Sequence, residues 1–357
     1  MKKVFRSLES EMERKPFGNT GLLIPPVVFG STSLGNLFAE VSDDAKQQIV
    51  SSWFAEVDCP VFIDSAGKYG AGMALEVLGR ELARRNVRRE DVIISNKLAW
   101  TRQPLLTPEP TFEPGAWFGL KHDARQEISY DGILRCFEQG NALLGDYETD
   151  LVSVHDPDEY LAAASNETER KRRRDDIDDA YRALKELRTA GTVKGIGVGA
   201  KDWTSIRDIC DRIELDWVML ANSLTLMKHP SELLTFVEQL RKSGIGVINA
   251  AVFNAGFALG GKFFDYRVVE DKTDQDRQLR AWRERFHEAC RRFDVAPALA
   301  CLEFGRSVPG IDAIAISSSN PANIAGTVKA LSQAAPPAFW SYLKSNDLID
   351  RSFPYLG

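Results

Sequence analysis

Val61-Phe62-Ile63-Asp64 is a short apolar run closed by a carboxylate, and reading it as a β-strand decides the fold. The same design recurs at Val92-Ile93-Ile94-Ser95-Asn96-Lys97 and at Leu151-Val152-Ser153-Val154-His155. Similar runs before, between and after them extend the pattern. The predicted strands are residues 26–30, 61–65, 92–97, 151–155, 195–199, 217–221, 246–251 and 313–317. Amphipathic stretches separate them. The clearest predicted helix covers 176–190, with Ile177, Tyr181, Leu184 and Leu187 on one stripe and Gly191 as its C-cap. Others are predicted over 233–242, closing at Gly244, and over 321–331, opening with Pro321.

Eight strands alternating with eight helices mean parallel strands joined by right-handed crossovers. The count of eight favours an α/β fold of the closed (β/α)₈ TIM-barrel kind over an open doubly wound sheet. The open sheet requires a glycine fingerprint after its first strand, and Gly30-Ser31-Thr32-Ser33-Leu34-Gly35 lacks the spacing. Three segments stand outside the repeat. Residues 1–25, turning at Gly18-Asn19-Thr20-Gly21, read as an N-terminal hairpin capping the barrel. Residues 101–127, with Pro104, Pro108, Pro110 and Pro114, read as a long loop after the third strand, on the catalytic face. Residues 335–357 read as a C-terminal covering tail. No internal boundary is visible, so residues 1–357 are expected to form a single domain.

The chain has 357 residues, 44% hydrophobic and 27% charged, with a net charge of −6. That balance argues against nucleic acid or an acidic membrane as a partner. The run Lys171-Arg172-Arg173-Arg174 precedes Asp175 and Asp176 and reads as a solvated loop before a helix. Behind the N-terminus there is no apolar signal segment, and no stretch of about 20 apolar residues could span a membrane. Five scattered cysteines without metal-ligand spacing point to reduced thiols and a cytoplasmic location. No metal site is expected, because the four histidines are isolated from one another and from cysteine pairs.

In such a barrel the active site lies where strands end at their C-terminal side. Asp64, Lys97 and His155 end the second, third and fourth strands, and Tyr69 follows in the loop after the second. A free tyrosine titrates near 10, and a nearby ammonium favours its phenolate. Lys97 is expected to act in this way, with Asp64 holding Lys97 charged and oriented and His155 hydrogen-bonding a substrate oxygen. Together they suit proton transfer at a carbonyl or hydroxyl oxygen while hydride moves at its carbon. Each residue alone has a plainer reading, as a paired surface charge, a structural histidine or a packed tyrosine. Their convergence on neighbouring strand ends outweighs those readings.

Several motifs resemble the aldo-keto reductase family: Lys15-Pro16-Phe17-Gly18-Asn19-Thr20-Gly21, Phe62-Ile63-Asp64-Ser65-Ala66 with Tyr69-Gly70, and Ile94-Ser95-Asn96-Lys97. Ser153-Val154-His155-Asp156, Gly195-Ile196-Gly197-Val198-Gly199 and Val252-Phe253-Asn254-Ala255-Gly256 continue the likeness. The family's catalytic tetrad falls on Asp64, Tyr69, Lys97 and His155. The resemblance implies a barrel that binds an extended nicotinamide dinucleotide. Within the family the chain is most similar to aldose 1-dehydrogenases of the D-threo-aldose, L-fucose and L-galactose type. This implies oxidation of C1 of a cyclic sugar to a lactone, with Tyr69 as the base; pyridoxal dehydrogenases share much of the pattern. The implied cofactor contacts are Gly199, Ala200, Leu224, Phe253, Asn254, Ser317, Ser318, Ser319 and Asn323. Gly199-Ala200 replaces the family's serine-asparagine, and Leu224 stands where relatives often stack a tyrosine. The serine run lacks the cation that NADP-preferring members use on the 2′-phosphate, which favours NAD and leaves NADP open. Trp100, Trp117 and Phe118 are candidate substrate contacts. Reduction of a small aldehyde with NADPH, and a cofactor-sensing protein with little turnover, are the competing readings. Which sugar, which direction and which oligomeric state the sequence leaves open.

Overall fold

The computed structural model describes residues 12–270 and 272–356. Residues 1–11 of the expected N-terminal hairpin lie outside the described residues. Its remainder pairs β1 (Lys15–Pro16) with β2 (Leu23–Ile24), antiparallel. Next come β3 (Val27–Gly30), β4 (Val61–Ala66), β5 (Val92–Leu98), β6 (Trp100–Pro104), β7 (His122–Gln126) and β8 (Leu151–His155). The later strands are β9 (Gly195–Ala200), β10 (Trp217–Ala221), β11 (Gly246–Ala250), β12 (Phe263–Phe264), β13 (Arg267–Val268) and β14 (Ala313–Ile316). Eight of them close a parallel barrel in the order β3-β4-β5-β8-β9-β10-β11-β14. Every predicted barrel strand is present, and its ends differ from the expected ones by at most one residue.

The helices are α1 (Asp43–Glu56), α2 (Met73–Arg84), α3 (Tyr130–Leu144), α4 (Pro157–Ala162), α5 (Glu167–Thr189) and α6 (Trp203–Cys210). They continue with α7 (Ser231–Lys242), α8 (Asp274–Arg292), α9 (Pro297–Arg306), α10 (Ala322–Ala330) and α11 (Pro337–Ser345). Side chains that alternate along the strands face either the barrel interior or the helices. The interior holds Val28, Phe62, Ile93, Leu151, Trp217, Met219 and Ile248. Phe17, from the turn between β1 and β2, plugs its N-terminal end, 6.1 Å from both the Phe62 and Trp217 rings. The lack of a side chain at Gly197 is what admits Trp217: a Cβ there would stand 2.5 Å from the indole.

Two expectations need correction. The basic run 171–174 is inside α5, not in a loop before it. Asn166 caps that helix by accepting from the Glu169 N–H, and Arg173–Glu169 and Arg172–Asp176 pair at i,i+4 on its surface. Charge on both sides hides a helix from an apolar stripe that begins only at Ile177. The segment after the third barrel strand is not all loop, because β6 and β7 form an antiparallel hairpin at its two ends. Pro108, Pro110 and Pro114 lie between the two strands, and Pro104 ends β6. The tail contains a helix, α11, whose Phe339 and Trp340 are buried. All five cysteines are free. Among the described residues no helix is long and apolar enough to cross a membrane.

Candidate active site

Strands β4, β5 and β8 are neighbours in the barrel, and this brings Asp64, Lys97 and His155 to one rim. Lys97 Nζ makes a close ion pair with Asp64 Oδ2, each residue being 3% exposed. The ammonium also reaches the Ser65 carbonyl at 3.4 Å. Tyr69 lies beside both: Lys97 Nζ sits 4.9 Å above its ring, and the His155 ring is 5.6 Å away at 85°. The four residues predicted from the strand ends are therefore one cluster in space.

Burial sets their protonation. It pushes the Tyr69 phenol well above its ordinary value, with Asp64, Tyr266 and Asp156 adding to the shift. The expected net lowering is not found: burial outweighs Lys97, whose ammonium pairs with Asp64 and lies over the face of the ring. Tyr69 rests as a neutral phenol. Burial also holds His155 well below its usual range, helped by the positive charges of Lys68 and Lys97. Its Nδ1 has no partner among the described residues, and its Nε2 lies 3.4 Å from Asp156 Oδ2. The Asp64 carboxyl is raised by burial, with Lys97 pulling the other way. At rest the centre thus holds a neutral donor pair, Tyr69 and His155, over a buried ion pair.

An aromatic wall adjoins Tyr69. The Trp117 ring is 5.9 Å from Tyr69, Phe112 is 6.2 Å from Trp117, and Trp100 is 5.8 Å from Phe112. Trp100 and Trp117 are thus placed near the tetrad. Phe118 is 42% exposed, and its N–H and C=O are both tied to Asn36.

The candidate cofactor contacts line the remaining, contiguous part of the rim on β9, β10, β11 and β14. Gly199 lies against Lys97, where a Cβ would be 3.1 Å from Lys97 Cδ. Ala200 ends β9, and Leu224 is fully buried beyond β10, its carbonyl accepting from Asn249. Phe253 and Asn254 form the turn after β11, with Asn254 Nδ2 3.3 Å from Asp265. Ser317 bonds Thr32 at 2.8 Å, Ser318 closes its own turn with Asn320, Ser319 is exposed, and Asn323 lies in the first turn of α10.

Other polar residues at this rim are not among the candidate site residues read from the sequence. Lys68, 3% exposed, forms ion pairs with Glu113 at 2.6 Å, Asp156 at 3.1 Å and Glu159 at 3.3 Å. Lys201 pairs with Glu159 and lies 4.7 Å from the Tyr266 ring. Asn222 is 4% exposed, and neither side-chain atom has a partner among the described residues. Asp156 closes the quoted Ser153–Asp156 motif, whereas the only sequence cue to Lys68 is that it adjoins Tyr69.

A closed parallel barrel with this cluster at the C-terminal rim defines an oxidoreductase of the reductase type found on such barrels. Residues 26–347 match the aldo/keto reductase family, and the chain belongs to it. It is 31% identical over 347 residues to pyridoxal 4-dehydrogenase of Microbacterium luteolum, covering 94% of this chain and 98% of that protein. It is 26% identical to D-threo-aldose 1-dehydrogenase of a Pseudomonas species, over 92% of this chain and 96% of that one. An aldo-keto reductase of Bacillus halodurans in its holo form shares the fold, with a TM-score of 0.67 at 16% identity and coverage of 96% and 98%. The chain is accordingly an NAD(P)-dependent oxidoreductase.

Proposed function

We propose that this protein oxidises the hemiacetal carbon of a free aldose to a lactone, with NAD as the hydride acceptor. The observation that carries this reading is the buried meeting of Tyr69 and His155 above the Lys97–Asp64 pair, walled by Trp117. The nicotinamide supplies the hydride-accepting carbon. His155, neutral, donates to the substrate oxygen and orients it. Tyr69, once deprotonated, takes the hydroxyl proton as the C–H bond breaks, so the substrate loses one hydride and one proton. Lys97 stabilises the phenolate during that transfer and Asp64 holds Lys97 in place.

The residues present fit a nicotinamide cofactor. Gly199 leaves the rim beside Lys97 without a side chain, and the unpartnered buried amide of Asn222 suits a site that receives a carboxamide. Gly199, Ala200 and Leu224 are assigned to the nicotinamide end. Phe253 and Asn254 are assigned to the middle. Ser317, Ser318, Ser319 and Asn323 are assigned to the adenosine end, where α10 presents backbone N–H groups to phosphate. No lysine or arginine lies among residues 317–323, which favours NAD over NADP.

A second reading has its own support in the 31% identity to pyridoxal 4-dehydrogenase. Pyridoxal closed through its hydroxymethyl group is also a cyclic hemiacetal, so the same proton and hydride steps apply. A flat pyridine ring also suits the aromatic wall. Measuring NADH formation with L-fucose, L-galactose, D-arabinose and pyridoxal, each with NAD and NADP, separates these readings. Sugar turnover with NAD supports the first, pyridoxal turnover the second, and tight cofactor binding with no turnover on any of them rejects both. Tyr69→Phe is expected to lower kcat by roughly 10²- to 10⁴-fold while leaving the cofactor Kd unchanged, as measured by calorimetric titration. Retention of most activity would remove Tyr69 from the mechanism.

A further inference from the structure

Lys68 is one residue before Tyr69, and its carboxylate partner Asp156 is one residue after His155. Their ion pair, 3.1 Å long and buried on both sides, therefore ties the tyrosine loop to the histidine strand end. The same ammonium holds Glu113 at 2.6 Å. The second oxygen of Glu113 accepts from Trp117 Nε1 at 2.7 Å. Trp117 in turn lies against Tyr69 at 5.9 Å. Three segments distant in sequence thus meet at one nitrogen.

Backbone conformation marks both partners as held in place. Glu113 has φ of 42° and Asp156 has φ of 49°, the left-handed region. A residue with a side chain stays there only where its surroundings over-determine it. Around Lys68 the surroundings are charge. Burial opposes its protonation, yet Asp156, Glu113 and Glu159 together raise its pKa, so it stays an ammonium. One buried cation shared by three carboxylates fixes geometry more than it adds stability.

We propose that Lys68 is a positioning residue that clamps Tyr69, His155 and Trp117 into one substrate-facing wall, with Glu113 as the arm that seats Trp117. This rests on the oxidoreductase reading for its kinetic consequences but not for its structural ones. Lys68 positions the reacting groups through its neighbours, and its charge also acts on His155 through space. Glu113 is half-buried and is therefore the part of the clamp that can be released without exposing a buried charge.

The test uses the full chain carrying Glu113→Ala, Glu113→Gln or Lys68→Met. Kinetics are read with NAD and whichever of L-fucose or pyridoxal the wild type turns over. Glu113→Ala is expected to raise KM about tenfold while kcat changes less than about threefold, the loss of roughly one wall contact. Glu113→Gln keeps an acceptor for Trp117 and is expected to recover most of that loss. Lys68→Met is expected to lower kcat at least tenfold with unchanged cofactor Kd. Iodide quenching, corrected with Trp117→Phe, is expected to show the Trp117 indole shielded in the wild type and open in Glu113→Ala. A shielded indole and an unchanged KM in Glu113→Ala would overturn the clamp. If Lys68→Met fails to fold, the Glu113 pair decides. If the wild type turns over neither substrate, the proposed substrates fail on their own, and the quenching result still judges the clamp.

Discussion

Tyr69 and His155 face the same problem from opposite sides. Burial disfavours the charged form of each, so the tyrosine titrates high and the histidine low. Oxidation needs the tyrosine as a base, and only its small deprotonated fraction serves at neutral pH. The rate kcat/KM for oxidation is therefore expected to climb about tenfold per pH unit from about pH 7 to 9, without a plateau below the ordinary tyrosine value of about 10. A flat profile over that range would show that the phenol is already ionised. His155 has a different consequence. Its folded-state pKa is depressed, so the unfolded chain binds the proton more readily below about 6.5. Stability from this group is fully present above that pH and is lost as pH falls, by up to about 1.4 kcal/mol per unit. Urea unfolding at stepped pH should show the slope, and His155→Asn should remove about one proton's share of it. An unchanged slope in the variant would mean His155 titrates normally in the fold.

The elements that place these side chains were readable to different degrees. All eight barrel strands follow from apolar runs ended by Asp64, Lys97, His155 and their counterparts, because a strand buried on both faces has few polar positions to blur it. Placing three tetrad residues together needed only the rule that consecutive parallel strands neighbour one another. The first turns of α5 were not readable, since its surface is stabilised by charge pairs rather than by an apolar stripe. The β6–β7 hairpin was hidden by the prolines between its strands. Lys68 and Glu113 were invisible for a deeper reason: 45 residues separate them, and no periodicity links a loop lysine to a loop carboxylate. Packing between helices is a further case. Gly79 on α2 lets the end of α3 approach, because a Cβ there would fall 2.6 Å from the Leu144 carbonyl carbon. The obstacle is backbone and cannot rotate away. Gly79→Ala, normally favourable in a helix, is expected to destabilise the protein by about 1–3 kcal/mol, read from the urea midpoint. A stabilised variant would show that the two helices have room to separate.

The barrel is closed at one end by Phe17 and bound along its flank by the tail. Ala335 N–H donates to Glu303 on α9 at 2.7 Å, and Trp282 Nε1 on α8 donates to the Leu348 carbonyl at 3.1 Å. Between these ties α11 buries Phe339, 6.0 Å from the Phe293 ring, and Trp340, 2% exposed. The segment is therefore part of the core although it follows the last barrel strand, and its loss should be felt by the whole fold. Trp340→Ala is expected to cost about 3–5 kcal/mol, the range for deleting a buried aromatic side chain. Because Trp340 Nε1 has no acceptor among the described residues, Trp340→Phe loses packing but no hydrogen bond, and should cost much less than the alanine. Both variants should keep wild-type kcat at temperatures where they remain folded, since α11 packs against α8 and the Phe293 ring that follows it. Urea unfolding and steady-state kinetics on the same samples test this. If Trp340→Ala is as stable as wild type, the tail only lies on the surface. If it folds normally but loses kcat, the tail reaches the active centre by a route its contacts do not show.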